Sequence, residues 1–258
     1  MSADTLAIVA RLEATFRNAN QAWQEFTATL PATALCPRHP EVQRPRDDRK
    51  SWVERRAMFG PCPVCEEALR KHLERERLMH MGVPDILCDA TLENWPATDE
   101  QAAANLAVVR EFARDRRGFL VLLGDVGRGK THLAVGVLRT FKSGSLVTQS
   151  ELLRRLRATY RDREAENPVQ VAQDAACLVL DEMGYSTGGA DELNLLHDIL
   201  DYRHGHRKPT ILTGNVGYDQ ICSVIGGRMA DRLRESAFAV LSFGGPSARP
   251  MVRERYFW

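Results

Sequence analysis

The stretch Gly118-Phe-Leu-Val-Leu-Leu-Gly124-Asp-Val-Gly-Arg-Gly-Lys130-Thr131-His-Leu-Ala-Val-Gly-Val-Leu138 decides the fold. Its first part is a short, unbroken apolar run between glycines. That pattern predicts a strand buried on both faces, over residues 118–123. Its last part returns to a helical pattern, predicting a helix from Thr131 to Phe141. Between them, Gly124 to Thr131 fits G-x-x-x-x-G-K-[ST]. Small residues let backbone N–H groups turn inward around an anion, and the helix that follows offers its positive N-terminus to the same point. Lys130 adds a mobile positive charge, and Thr131 a hydroxyl suited to Mg²⁺. The candidate phosphate cradle is therefore Gly124, Asp125, Val126, Gly127, Arg128, Gly129, Lys130 and Thr131, with His132 beside it.

The same alternation continues outward. Asp99–Arg114 reads as an amphipathic helix, 145–148 as a strand, 151–161 as a basic helix and 175–180 as a buried strand. Asp191–Tyr202 reads as a helix and 209–213 as another strand. Alternating strands and helices predict an α/β fold, a parallel sheet with helices on both faces. The buried strand Ala176-Cys-Leu-Val-Leu-Asp181-Glu182 ends in two acids, beside the phosphate cradle in such a sheet. There Asp181 would hold Mg²⁺ through water and Glu182 would polarise an attacking water. The strand Thr210-Ile-Leu-Thr213-Gly-Asn215 ends in polar residues. Asn215 either contacts the γ-phosphate or lytic water, or serves the turn that Gly and Asn favour. Gly226-Gly-Arg228-Met-Ala-Asp231-Arg232-Leu-Arg234 sets Arg228 and Arg232 one helical turn apart. They either enter a neighbouring subunit's site to stabilise phosphate charge, or form a solvated basic face.

The N-terminal third is built differently. Residues 4–29 carry a helical apolar pattern that ends before Pro31. Cys36-Pro-Arg-His39 and Cys62-Pro-Val-Cys65 form a C-x₂-H…C-x₂-C set, the spacing of a closed structural zinc site. Four protein ligands leave no open position, so zinc here folds a module and does no catalysis. Between the pairs, 44–52 is basic with one tryptophan, either a nucleic-acid contact or a solvated loop. A charged helix spans 65–81. We expect an N-terminal helical and zinc-binding module over 1–81, a connector over 82–98 and an ATPase domain over 99–258.

Lys and Arg total 35 against 34 Asp and Glu, a net charge of +1. Overall charge therefore implies no nucleic-acid partner, and any basic surface is local. No apolar stretch is long enough for a membrane span, and residues 1–11 lack the pattern of a signal peptide. A cytoplasmic protein with no membrane partner is expected, with its thiols reduced.

Taken together, GDVGRGKTHLA, LVLDEMG, RKPTILTGN and GGRMADRLR resemble, in that order, the AAA+ ATPases of the DnaC/DnaI helicase-loader and IstB group. The connector VPDILCDATLENW is similar to the segment before the ATPase core in this group. The resemblance covers residues 82 to about 250 and implies a P-loop AAA+ core. It implies that Lys130 and Thr131 are Walker A, Asp181 and Glu182 Walker B, and Asn215 sensor 1. Arg232 is implied as the arginine finger, with Arg228 the second candidate, and Arg249 as sensor 2. Gly214 stands where the group often has Ser. It also implies partner binding by the N-terminal module, and contact with single-stranded DNA by Arg154, Arg155, Arg157, Tyr160 and Arg161, where the residues alone favour an amphipathic surface helix.

The expected function is ATP-dependent loading of a hexameric replicative helicase onto single-stranded DNA. ATP, Mg²⁺ and Zn²⁺ would serve as cofactors, with ATP-dependent self-assembly. An IstB-type transposition helper shares the core and is the alternative. A small-substrate P-loop kinase leaves the zinc pairs and the arginine helix unexplained. A nucleotide-holding module without turnover leaves Glu182 unexplained.

Overall fold

The computed structural model describes residues 21, 33–45, 62–159, 167–184 and 190–244. The chain forms two compact units, Met1–Glu74 and Arg75–Trp258. The helix expected over residues 4–29 lies almost wholly outside the described residues, as does most of the basic stretch 44–52.

In the first unit, β1 (Thr33–Leu35) and β2 (Gln43–Pro45) pair antiparallel as a short hairpin. Helix α1 (Pro63–His80) starts in this unit and ends in the second. Proline at its first position fits, because the N–H it lacks would have no helical partner there.

The second unit holds a five-stranded sheet. Its strands are β3 (Phe119–Gly124), β4 (Ser145–Thr148), β5 (Leu178–Asp181), β6 (Thr210–Gly214) and β7 (Ala237–Phe243). They lie in the order β4-β5-β6-β3-β7, and every pairing is parallel. The helices are α2 (Glu100–Asp115), α3 (Lys130–Leu138), α4 (Gln149–Thr159), α5 (Pro168–Asp174), α6 (Ala190–Gly205), α7 (Tyr218–Ile225) and α8 (Gly227–Ser236). Asp99 starts α2 as its N-cap, accepting from the Ala102 N–H at 2.7 Å.

Strand alternation divides the core into two layers. Leu120, Leu122, Val179 and Ile211 face a cluster with Val109, Phe112, Leu133, Val137, Leu92 and Trp95. Phe119, Val121, Leu123, Leu180 and Leu212 face the other side, against Leu152, Leu153, Leu156, Leu196, Leu200 and Leu233. Both sheet faces are therefore covered by helices. The sequence reading omitted α5, α7 and β7, because each is short or only partly apolar.

Arg203 on α6 is fully buried in this second layer. It donates to the carbonyls of Ala172, Gln173, Ala175 and Pro209 and to the Thr210 hydroxyl, at 2.7–3.1 Å. Burial lowers its pKa to about 10, so it stays charged at neutral pH. It ties the end of α5 to the start of β6. Replacing it by Met strands several buried carbonyls, each worth about 1–3 kcal/mol. We expect Arg203→Met to lower the melting temperature by at least about 6 °C. A calorimetric change under about 2 °C would contradict that role.

Candidate nucleotide site

The loop between β3 and α3 turns on three glycines at positive φ, Gly124, Gly127 and Gly129. Gly124 has φ +128°, and a Cβ there would lie 2.0 Å from the Phe243 carbonyl oxygen. Gly129 has φ +75°, and its Cβ would meet the Trp95 indole. No L side chain fits either position without displacing its neighbour. Helix α3 begins at Lys130, so its unpaired N–H groups point into the same loop.

The ends of β3, β5 and β6 converge here, at the carboxyl edge of the sheet where open α/β folds hold ligands. Lys130 is buried, with its Nζ 2.8 Å from the Gly124 carbonyl, 2.7 Å from that of Asp125 and 2.7 Å from Asn215 Oδ1. The last contact brings together two sequence candidates 85 positions apart. Thr131 Oγ1 donates to Asp181 Oδ1 at 3.1 Å, and the Thr213 hydroxyl donates to the same oxygen. A carboxylate and a hydroxyl are hard oxygen donors, so this pair fits Mg²⁺. Thr213 went unassigned in the sequence, because only the pairing of β6 with β5 brings it to Asp181, 32 positions away.

Glu182 follows Asp181 with φ +56°. A glutamate in the left-handed region carries strain of about 1–2 kcal/mol. The strain is held by its neighbours. Met183 N–H donates to the Thr213 carbonyl at 2.8 Å, and Gly184 N–H to the buried Gln149 Oε1 at 3.0 Å. The turn presents Glu182 exposed at the cleft wall.

The cleft itself is about 1040 Å³. Its lining joins Gly127 to Thr131, Asp181, Glu182 and Asn215 with the apolar Pro84, Ile86, Leu87 and Pro96. A lining that combines polar and apolar groups suits a molecule that carries both phosphates and a flat base. Val126 and Phe243 line it too. The His132 ring lies against the connector, with Nε2 at 3.0 Å from the Thr91 carbonyl and 2.8 Å from Asn94 Oδ1.

The two finger candidates differ. Arg232 is half-buried and paired with Asp201 on α6. Arg228 is exposed and, among the described residues, makes no side-chain hydrogen bond or ion pair. Arg249 lies outside the described residues.

On α4, Leu152, Leu153 and Leu156 are buried while Arg154, Arg155 and Arg157 are exposed. Glu151 accepts from both Arg154 and Arg155 at 2.7 Å. The Arg155 hydrogen bond is the main cause holding the Glu151 carboxyl below its usual range. Tyr160 and Arg161 lie outside the described residues.

In the first unit, Cys36 and His39 sit in the loop of the β1–β2 hairpin, and Cys62 and Cys65 at the start of α1. Their ligand atoms all lie within 4.8 Å of one another. His39 Nδ1 is 3.8, 3.7 and 3.4 Å from the sulfurs of Cys36, Cys62 and Cys65, and the Cys36–Cys65 sulfurs are 3.7 Å apart. Four ligands at zinc bond lengths of about 2.0–2.3 Å stand about 3.4–3.8 Å apart in a tetrahedron. The donor set therefore fits zinc. Burial works to raise the Cys36 thiol, but hydrogen bonds from the Arg38 backbone and from His39 outweigh it and bring its pKa to about 6. Burial and the neighbouring sulfurs push Cys65 up to about 11.

No helix among the described residues is long and apolar enough to cross a membrane. Residues 52–250 match the family model for IstB-like ATP binding protein. The replicative helicase loader DnaC of Escherichia coli K12 is 25% identical over 197 residues, covering 70% of this chain and 80% of that protein. A crystal structure of the DnaC helicase loader superposes with a TM-score of 0.57 at 21% identity, covering 62% of this chain and all of that one. A DnaI crystal structure gives 0.56 at 21% identity, over 64% of this chain and 96% of that one. The sheet order, the loop before α3 and these likenesses establish a P-loop AAA+ core, and the chain belongs to the family of IstB-like ATP-binding proteins.

Proposed function

We propose that this chain is an ATPase that loads a hexameric replicative DNA helicase onto single-stranded DNA. The observation that carries the reading is the junction of Lys130 with Asn215 and of Thr131 with Asp181, which joins the ends of three strands in one phosphate-and-metal site. Lys130 and the loop N–H groups would hold the β- and γ-phosphates. Thr131 and Asp181 would hold Mg²⁺, which when bound neutralises charge on the phosphate oxygens. Glu182 would take a proton from the attacking water, with Asn215 orienting the γ-phosphate. A neighbouring subunit would supply an arginine. Arg228 can serve as it stands, whereas Arg232 must first leave Asp201.

The DnaC relatives, at 25% identity over most of their length, support a helicase as the partner. The four-ligand cluster supports a zinc-built module that grips it. The family match to IstB-like proteins supports the second reading, a transposition helper acting on duplex DNA. Pull-downs with ATP against a hexameric helicase and against a transposase separate the two. Retention of the transposase alone would replace the first reading by the second.

The α4 arginines would bind the phosphate backbone by exchanging Glu151 for DNA. Replacing Arg154, Arg155 and Arg157 together by Ala should weaken single-stranded DNA binding at least about ten-fold and reduce its salt slope by about 2. The ATP affinity of the free protein should stay the same. Unchanged DNA affinity in fluorescence anisotropy would remove α4 from the interface.

A further inference from the structure

The connector between α1 and α2 is fastened along one line of the nucleotide-binding helix. Three contacts define that line. The Trp95 indole N–H donates to the Gly129 carbonyl at 3.2 Å. The His132 ring reaches the Thr91 carbonyl and Asn94 Oδ1. Both partners are acceptors, because Asn94 Oδ1 itself accepts the Thr91 N–H at 2.9 Å, so His132 Nε2 carries the proton. Finally, Leu92 packs so closely on Gly136 that a Cβ there would lie 2.8 Å from its Cδ2. Positions 129, 132 and 136 are spaced three and four apart, which places them on one helical stripe. Residues 91–95 therefore lie along the stripe of α3 that begins at the phosphate loop.

Trp95 is the member of this line that touches the phosphate loop itself, at Gly129. It is 7% exposed, lines the cleft, and meets Phe243 edge to face with ring centroids 6.2 Å apart. The carbonyl it holds belongs to the residue before Lys130. Any shift of the loop around a bound phosphate must move that carbonyl against the indole. We propose that Trp95 is a positioning residue of the nucleotide site, and that the Thr91–Trp95 segment fastens the phosphate loop so that ATP binding and the order of the connector are coupled. The proposal rests on the reading of the cleft as an ATP site. Coupling of this kind is reciprocal: whatever tightens the connector tightens nucleotide, and the reverse.

The test uses the full-length, zinc-loaded chain. Trp95→Phe keeps an aromatic ring against Phe243 but deletes the donor. Asn94→Ala removes one His132 partner at an exposed position and leaves the core intact. Calorimetry with Mg²⁺–ATP should show Trp95→Phe binding about three- to ten-fold more weakly than the unsubstituted chain, the worth of one hydrogen bond. Its KM for ATP should rise while kcat changes less than two-fold. Hydrogen exchange read by mass spectrometry should show ATP protecting peptides over 84–98. That protection should shrink in both variants and be absent in Lys130→Ala. A merely structural role for Trp95 would lower melting temperature without altering the ATP-dependent part of that protection. Unchanged ATP affinity in a folded Trp95→Phe, or no ATP effect on peptides 84–98 in a chain that binds ATP, would overturn the proposal. If Trp95→Phe does not fold, Asn94→Ala decides by the same two readouts. Failure of the unsubstituted chain to bind ATP at all would overturn the nucleotide reading itself, and this proposal with it.

Discussion

Glu182→Gln will lower the ATP turnover number at least about 100-fold while leaving ATP affinity within about two-fold. The two effects separate because the residue does not touch the phosphate-holding atoms. Lys130 is held among Gly124, Asp125 and Asn215, and Asp181 among Thr131 and Thr213. Glu182 stands apart at the cleft wall on a left-handed turn. A general base in that position contributes typically 10²–10⁴ in rate. Gln has the same length and the same backbone demand, so the turn held by Gln149 and Thr213 should persist. The variant should therefore accumulate in its ATP-bound, assembled state. Lys130→Ala should instead lose affinity, and with it both turnover and assembly. Steady-state kinetics together with calorimetric binding check both. Retained turnover in Glu182→Gln would remove Glu182 from the chemistry.

Cys62→Ser will abolish zinc binding and unfold the first unit. Among the described residues of that unit, the only buried apolar side chains are Cys36 and Cys62, both in the cluster. The described residues of this unit bury little apolar surface to offset the entropy of ordering them, and small modules of this kind need a staple. Structural zinc supplies about 10–16 kcal/mol of binding free energy in such sites, and losing one thiolate forfeits most of it. Metal analysis should find one zinc per chain in the unsubstituted protein and none in Cys62→Ser. Limited proteolysis should then cut within residues 33–65 while the second unit stays intact. ATP binding should survive, and capture of the helicase should not. A sub-stoichiometric zinc content that Cys62→Ser leaves unaltered would contradict this account.

The parts legible in the sequence were those with a rigid rule behind them. A six-residue apolar strand feeding a glycine-spaced loop has one physical use, and β3, the loop and α3 lie where that rule puts them. Asp181 was legible as the end of a buried strand paired with the loop, and β5 carries it to Thr131 and Thr213. The Cys and His pairs were readable because two tight turns with fixed spacing can meet at one ion. What escaped reading depended on contacts across the fold. Arg203 looks like one more charge near a helix end, and only its five acceptors from two segments reveal a core residue. Trp95 reads as an apolar anchor in an irregular connector, since nothing local tells that its indole N–H meets Gly129. Arg228 and Arg232 share a helix and a spacing. Only Asp201, supplied by α6, distinguishes them.

The account's central claim is tested most directly by mixing the purified chain with a hexameric replicative helicase and measuring complex formation by analytical ultracentrifugation, with and without Mg²⁺–ATP. The account predicts a complex that forms with ATP, persists in Glu182→Gln and fails in Lys130→Ala. No association with any such helicase in ATP would contradict it.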